Sequence, residues 1–133
     1  MSSGGTYPDL AMMKGLELAK LNECYQVRSS TSRDIDELKR VIHGNMFASV
    51  NMVVTKELYE LNSINFVYHG TGQRAGGHSL VCCGYDEESK MFIMQNHWGT
   101  IWGLKGFFLC PYDVWKKQCN LFCWFEKNSH SNR

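Results

Sequence analysis

A histidine and an asparagine in the second half of the chain are candidates for the general-base part of a nucleophilic catalytic site. His78 follows two glycines, and residues 78–85 and 90–96 are two strand-like runs separated by a polar four-residue turn. Because the start of one antiparallel strand lies beside the end of its partner, His78 and Asn96 are predicted to be neighbours. An asparagine that accepts one imidazole N–H fixes the tautomer and leaves the other nitrogen to face a nucleophile.

Trp98 stands just beyond Asn96 and is predicted to lie over this hydrogen bond. An aromatic ring there would exclude water and strengthen the bond. A structural interpretation is also open, because a histidine after two glycines is commonly a loop residue and an asparagine at a strand end commonly forms a turn. The spacing alone does not choose between these interpretations.

Two helices are predicted ahead of the strands. Residues 10–21 carry apolar residues at helical spacing, and residues 33–42 form a second amphipathic stripe. Ser29 to Ser32 offer several N-caps for the second helix, and Gly44 is a natural stop at its end.

Further strands are predicted at residues 47–54, 104–110 and 121–126, with a loop-rich segment at 55–73 and a helical turn at 111–118. The predicted fold class is therefore α+β, with an antiparallel sheet that curls toward a barrel and follows two helices. Residues 1–8 are predicted to be a flexible lead, residues 9–127 one domain, and residues 128–133 a polar tail.

Composition limits the functions open to the chain. A length of 133 residues suggests a single domain, and the net charge of +1 argues against nucleic-acid binding by bulk electrostatics. No apolar run reaches the roughly 20 residues that span a bilayer, and the N-terminus lacks the features of a signal peptide. We therefore expect a soluble protein of unassigned compartment, with no membrane contact, metal or cofactor, and with mostly reduced thiols among its six cysteines.

Two segments together resemble papain-family cysteine peptidases. Residues 77–86, Gly-His-Ser-Leu-Val-Cys-Cys-Gly-Tyr-Asp, resemble the family's segment around its catalytic histidine. Residues 96–103, Asn-His-Trp-Gly-Thr-Ile-Trp-Gly, resemble its Asn-Ser-Trp-Gly-x-x-Trp-Gly motif, and Gly-Phe-Phe at 106–108 matches the strand that follows. The resemblance covers about residues 8–126, is nearest in style to bacterial and viral members, and implies the family's second, histidine-bearing domain.

The resemblance also implies a role for each matching residue. His78 would be the general base and later the general acid, Asn96 would orient it, Trp98 would shield the pair, and Trp102 would shape the primed side of the cleft. One departure is His97, which stands where the family has serine. Its side chain is predicted to face away from the pair.

The cysteine that the resemblance calls for is missing from its expected place. In the family it lies in a Cys-Gly-(Ser/Ala)-Cys-Trp context, 130–150 residues before the histidine. Only Cys24 precedes His78 here, and its surroundings do not match. Cys119 and Cys123 loosely imitate the motif, but their spacing is one residue too long, and no second pair accompanies them as zinc ligands.

Three hypotheses follow. The chain is the His/Asn half of a peptidase whose thiol comes from another chain or from a region outside this sequence. It is otherwise a catalytically inactive domain that binds proteins or serves in the assembly of a larger complex. The third hypothesis is a hydrolase that uses a local cysteine such as Cys123 in a rearranged site. The first two imply a protein partner, in the first case one that carries the cysteine.

Overall fold

The computed structural model describes residues 25–127. Two compact units divide the chain: residues 29–124, and residues 1–28 together with 125–133. The predicted helix at 10–21, the lead at 1–8, Cys24 and the tail at 128–133 lie outside the described residues. Within the smaller unit, the guanidinium of Arg28 lies 3.9 Å from the carboxylate of Glu126.

The described residues form six strands and two α-helices, which confirms the predicted α+β class. Between Thr55 and the third strand lies one short 3-10 helix, Lys56–Glu60. No helix within residues 25–127 is long and apolar enough to cross a membrane. In chain order the elements are β1 (Tyr25–Ser30), α1 (Ile35–Asn45), β2 (Ala48–Thr55), β3 (Arg74–Asp86), β4 (Met91–Gln95), β5 (Phe107–Pro111), α2 (Tyr112–Gln118) and β6 (Cys119–Lys127).

Strand β2 lies at the centre of the sheet, between β6 and β3. The strand order is β6-β2-β3-β4-β5, with β1 next to β6. The pairs β2–β3, β2–β6, β3–β4 and β4–β5 are all antiparallel. Alternate residues of β2 are fully or almost fully buried, as a strand with one core face requires. These four residues are Ala48, Val50, Met52 and Val54.

Helix α1 packs its apolar stripe on the core, as predicted. Asp34 is its N-cap, and the carboxylate accepts hydrogen bonds from the backbone of Asp36 and Glu37. The predicted stop at Gly44 is wrong by two residues, because the helix runs to Asn45 and Met46 adopts the left-handed conformation with φ 77°. The Met46 N–H donates to Ile42 O at 2.8 Å, so this exposed methionine closes the last turn despite the strain of its positive φ.

Two strand boundaries also differ from the prediction. Strand β3 begins at Arg74 rather than at His78, because β2 continues to Thr55 and supplies backbone partners for Gly76 and Gly77. His78 therefore lies inside a strand, opposite Met52, instead of at its start. Residues 104–106 form a turn ahead of β5, which begins at Phe107.

Candidate active site

His78 and Asn96 are joined by a hydrogen bond, which confirms that they are neighbours. The distance from His78 Nε2 to Asn96 Oδ1 is 2.9 Å. Strand β3 holds the histidine, and Asn96 follows β4, where its N–H donates to Gly106 O at 2.9 Å. Because Oδ1 can only accept, Nε2 carries the proton of this bond and Nδ1 is left for another group. No described residue hydrogen-bonds to Nδ1.

The Asn96 carboxamide is held from two sides. Its Oδ1 also accepts the His97 N–H at 2.9 Å, which fixes the direction of the amide. The side chain is only 6% exposed, and its Nδ2 is a buried donor without a partner among the described residues. The orienting residue is thus rigid, while part of its hydrogen-bonding capacity is unused.

Three aromatic side chains, Trp98, Tyr59 and Trp102, form a wall beside the His78–Asn96 pair. The Trp98 ring lies 4.8 Å from the His78 ring at an interplanar angle of 44°. Trp98 stacks on Tyr59 at 4.9 Å and meets the Trp102 ring edge-on at 5.4 Å. Trp102 in turn donates its Nε1–H to Leu58 O at 2.9 Å, which ties this wall to the 3-10 helix. The predicted placement of Trp98 next to the pair is confirmed.

The prediction that His97 faces away from the pair is wrong. The His97 ring stacks on His78, with centroids 5.1 Å apart and an interplanar angle of 26°. Strand alternation ends at Gln95, and the bond from His97 N–H to Asn96 Oδ1 closes a tight turn directly after it. This turn brings the exposed His97 side chain back over His78, so two imidazoles share the site.

The glycines of the Trp-Gly motif are required by the turn that supports Asn96. Gly103 has φ 62°, and a Cβ at this position would lie 2.6 Å from Phe107 O. Its N–H donates to Leu61 O at 3.2 Å, which links the turn to the segment after the 3-10 helix. A side chain at Gly103 would push apart the backbone that carries Gly106, the acceptor for Asn96 N–H.

The sequence prediction missed the contribution of Tyr59 and Leu58. Residues 55–73 gave no clear periodicity and were expected to be loop. In the structure Lys56–Glu60 is a 3-10 helix whose Tyr59 is 58% exposed and stacks on Trp98. The sequence signal was an aromatic residue, Tyr59, directly after Leu58. Only the tertiary fold brings the Tyr59 ring onto Trp98.

None of the described cysteines is placed to serve His78. Cys123 pairs with Ser49, which pairs with Val81, so Cys123 lies two strands and three residues from His78, roughly 14 Å away and on the opposite sheet face. The geometry of these strands therefore contradicts the hypothesis of a rearranged site built on Cys123.

The remaining thiols are unsuitable for a different reason. Cys119 is separated from His78 by Met52, and burial raises the pKa of its thiol to about 12. Burial likewise raises the pKa of the Cys82, Cys83 and Cys110 thiols, which keeps them protonated and unreactive. All five described cysteines are free thiols. Within residues 25–127, no three histidine, cysteine or acidic side chains converge as metal ligands would.

Comparisons with known proteins gave matches in sequence and in fold. A family model described as papain family cysteine protease matches residues 11–124. An uncharacterized peptidase C1-like protein, L477, from Acanthamoeba polyphaga mimivirus is 48% identical over 40 residues, which are 30% of this chain and 13% of that protein.

Solved structures share the fold. Xylellain, a cysteine protease from Xylella fastidiosa, matches with a TM-score of 0.64 and 24% identity over 76% of this chain and 40% of that one. The digestive procathepsin L2 from the larval midgut of Tenebrio molitor matches with a TM-score of 0.60 and 15% identity over 74% of this chain and 33% of that one. The chain therefore spans well under half the length of these relatives.

Proposed function

Because the chain belongs to the papain family of cysteine proteases, we propose that it supplies the His/Asn half of a cysteine-protease site. The observation that carries this proposal is the bond from His78 Nε2 to Asn96 Oδ1, which leaves Nδ1 without a partner among the described residues. A histidine in this state is oriented and has one basic nitrogen available. The thiol is expected from another polypeptide or from a region outside these 133 residues.

The proposed chemistry is acyl transfer to a cysteine. His78 Nδ1 takes the thiol proton, and the resulting thiolate attacks the carbonyl carbon of a peptide bond. The imidazolium then returns the proton to the leaving amine as the C–N bond breaks. In the second half, Nδ1 takes a proton from water and the hydroxide attacks the thioester carbon. The C–S bond then breaks to release a carboxylic acid, and the imidazolium returns its proton to the thiolate.

The neighbours of His78 have supporting roles in this proposal. Asn96 accepts the Nε2–H in both protonation states, so the ring keeps its orientation while Nδ1 gains and loses a proton. Trp98 covers one side of the pair and keeps water from competing for this bond. Trp102, which contacts Trp98, would form part of the wall that receives the primed side of a substrate.

A second candidate function is protein binding without catalysis. It is favoured by the position of the five described cysteines, which all lie away from His78, and by apolar side chains exposed on loops. Ile101 is 96% exposed and follows the Asn-His-Trp-Gly segment, and Ile64 is 83% exposed. A partner that covered these side chains would bury apolar surface that is now in contact with water.

A thiol-directed probe separates the two functions. The natural assembly that contains this chain is treated at neutral pH with a peptidyl epoxide, and the alkylated residue is located by mass spectrometry. The first function predicts rapid alkylation of one cysteine outside these 133 residues, strongly slowed by His78→Ala. His43→Ala is the matched control, because His43 is an exposed histidine on α1.

Three outcomes count against the catalytic proposal. An intact assembly in which no cysteine is alkylated favours the binding function. Alkylation at equal rates in the wild-type and His78→Ala assemblies would mean that a reactive thiol exists but does not depend on His78. Alkylation of Cys123 would contradict the distances given above.

A further inference from the structure

A polar pocket lies at the end of strands β2 and β3 where Thr55 pairs with Arg74, and no residue of the candidate active site lines it. Its cavity has a volume of about 320 Å³. Arg74, at the start of β3, lines it and stands four residues before His78, roughly 13 Å along the strand. The pocket is therefore separate from the candidate active site. Its lining residues are Arg33, Val53, Thr55, Gly72, Arg74, Lys117, Gln118 and Asn120.

Three cations from three different elements meet at this pocket. Arg33 precedes α1, Arg74 opens β3, and Lys117 lies in the last turn of α2. No ion pair or hydrogen bond joins any of the three to another described side chain. Other described cations do have acidic partners, such as Lys39 with Glu87 and Lys90 with Glu87.

No carboxylate within residues 25–127 lines the pocket. Asp34, next to Arg33, is used as the N-cap of α1. Glu57 accepts the N–H groups of His69 at 3.0 Å and Thr71 at 2.9 Å. Three like charges around one cavity repel one another unless an anion lies between them, and their summed potential attracts such an anion.

Hydrogen bonds to Tyr68 hold two lining residues of the pocket, Thr55 and Gln118, in place. The buried Tyr68 hydroxyl accepts the Thr55 N–H at 2.7 Å and donates to Gln118 Oε1 at 2.6 Å. Gln118 Nε2 donates to Gly70 O at 3.2 Å. Gly70 permits this close approach, since a Cβ there would lie 2.5 Å from Gln118 Nε2. Thr55 and Gln118 are thus held in place beneath the cations, which lowers the cost of ordering a bound group.

We propose that this pocket binds a phosphate group, held by Arg33, Arg74 and Lys117. Guanidinium groups bind tetrahedral oxyanions by paired hydrogen bonds, and a lysine adds a point charge. The cavity is several times larger than the roughly 30 Å³ that a water molecule occupies in the liquid, and it is at the small end of ligand pockets. It therefore has room for a phosphate monoester as well as for the free ion.

The test is a titration of the chain with inorganic phosphate and with O-phosphoserine, followed by calorimetry and by ¹H–¹⁵N NMR. Sodium chloride at matched ionic strength is the reference. The wild type is expected to show saturable shifts at backbone amides of the pocket. Arg33→Gln, Arg74→Gln and Lys117→Gln are each expected to weaken the affinity about tenfold, since each removes a charge-assisted contact. Lys116→Gln is the matched control, because its side chain neighbours the pocket in sequence but does not line it.

Each outcome decides the proposal. Tighter binding of O-phosphoserine than of inorganic phosphate identifies a monoester site, and equal binding identifies a site for the free ion. The proposal is overturned if chloride produces the same shifts, or if Lys116→Gln weakens binding as much as the pocket variants. The NMR spectrum of each variant shows whether it has folded, and the three single variants provide independent readings. Because the readout is binding, failure here leaves the proposed protease function untouched.

Discussion

Two polar clusters of the same sheet differ in how completely their hydrogen bonds are satisfied. Around Tyr68, the hydroxyl contacts both Thr55 N and Gln118 Oε1, and Gln118 bonds onward to Gly70. Around His78, the Nδ1 atom has no partner among the described residues, and the buried Asn96 Nδ2 has none either. The first includes Thr55 of β2 and the second His78 of β3, and both lie beside aromatic rings.

The difference indicates different purposes. A closed network of buried polar groups stabilises a fold, because each member would cost free energy if left alone. A buried donor without a partner, such as Asn96 Nδ2, costs stability in the isolated chain. The open Nδ1 of His78 is available to another group. The Tyr68 cluster therefore supports the structure, whereas the His78 cluster carries the open groups that the proposed function requires.

The largest effect is expected for His78→Ala. Loss of the general base should lower kcat/KM of the active assembly by about 10²- to 10⁴-fold, while the free energy of unfolding of the chain changes little. Peptide-substrate kinetics and denaturant unfolding measure the two quantities. If His78→Ala kept the activity of the wild type, His78 would not be the general base, and the proposed difference between the two clusters would be wrong.

Asn96→Ala should have the next largest effect. A hydrogen bond to a charged group contributes about 1.5–3 kcal/mol, so losing the bond to an imidazolium should slow catalysis by roughly 10- to 100-fold. Asn96→Gln is a useful comparison, because it keeps the amide but moves it by one methylene. A rate for Asn96→Ala equal to that of the wild type would mean that the bond does not orient the base.

His97→Ser restores the family's residue and tests the stacked imidazole. Stacked ring pairs contribute about 0.5–1.5 kcal/mol, so the loss of this contact should reduce kcat/KM by about two- to tenfold. Steady-state kinetics of the assembly give the answer. An increase in kcat/KM would show that His97 hinders the histidine it covers rather than holding it.

Tyr68→Phe should have the opposite profile. It leaves the Thr55 N–H and Gln118 Oε1 without their buried partner, which should lower the free energy of unfolding by about 1–3 kcal/mol. Catalysis by the assembly should be unaffected under conditions where the variant is folded. A catalytic defect as large as that of Asn96→Ala would contradict the separation of the two clusters.

The smallest effect concerns Glu87, an exposed carboxylate outside both clusters. Hydrogen bonds from Lys39, Lys90 and Tyr112 lower its pKa to about 2 from the ordinary 4.5. Stability from a depressed carboxyl pKa is fully present above the unfolded value and is lost as the pH falls through the folded one. The stability difference between wild type and Glu87→Gln should thus be constant above about pH 5 and vanish near pH 2. Thermal unfolding across this range measures it, and a difference that persists at pH 2 would contradict the assignment.

Much of the fold could be predicted from local patterns. The apolar, partly β-branched run at residues 47–54 gave β2, and the stripe at Leu38, Val41 and Ile42 gave α1, because both patterns report burial directly. The pairing of His78 with Asn96 followed from the geometry of a hairpin. The prediction that Trp98 lies beside the His78–Asn96 pair followed from its place two residues after Asn96.

Other features depend on tertiary bonds that local patterns do not carry. His97 is turned over His78 by a bond to Asn96 Oδ1, which no periodicity reveals. Because two glycines precede His78, β3 was predicted to begin at His78. In the structure β2 is long enough to pair with residues back to Arg74, so β3 begins there. Arg33, Arg74 and Lys117 are far apart in sequence, so their convergence on one pocket is visible only after folding.

The pH dependence of thiol alkylation tests the central claim most directly. A thiol paired with an imidazole has its pKa lowered into the range of about 3.5–7.5, whereas a free cysteine titrates near 8.5. In the natural assembly, the rate of alkylation by the epoxide should therefore rise through its midpoint at or below about pH 7.5. In His78→Ala the rate should rise with pH through about 8.5, as for a free thiol. Coincident pH profiles for wild type and His78→Ala would contradict the role given to His78.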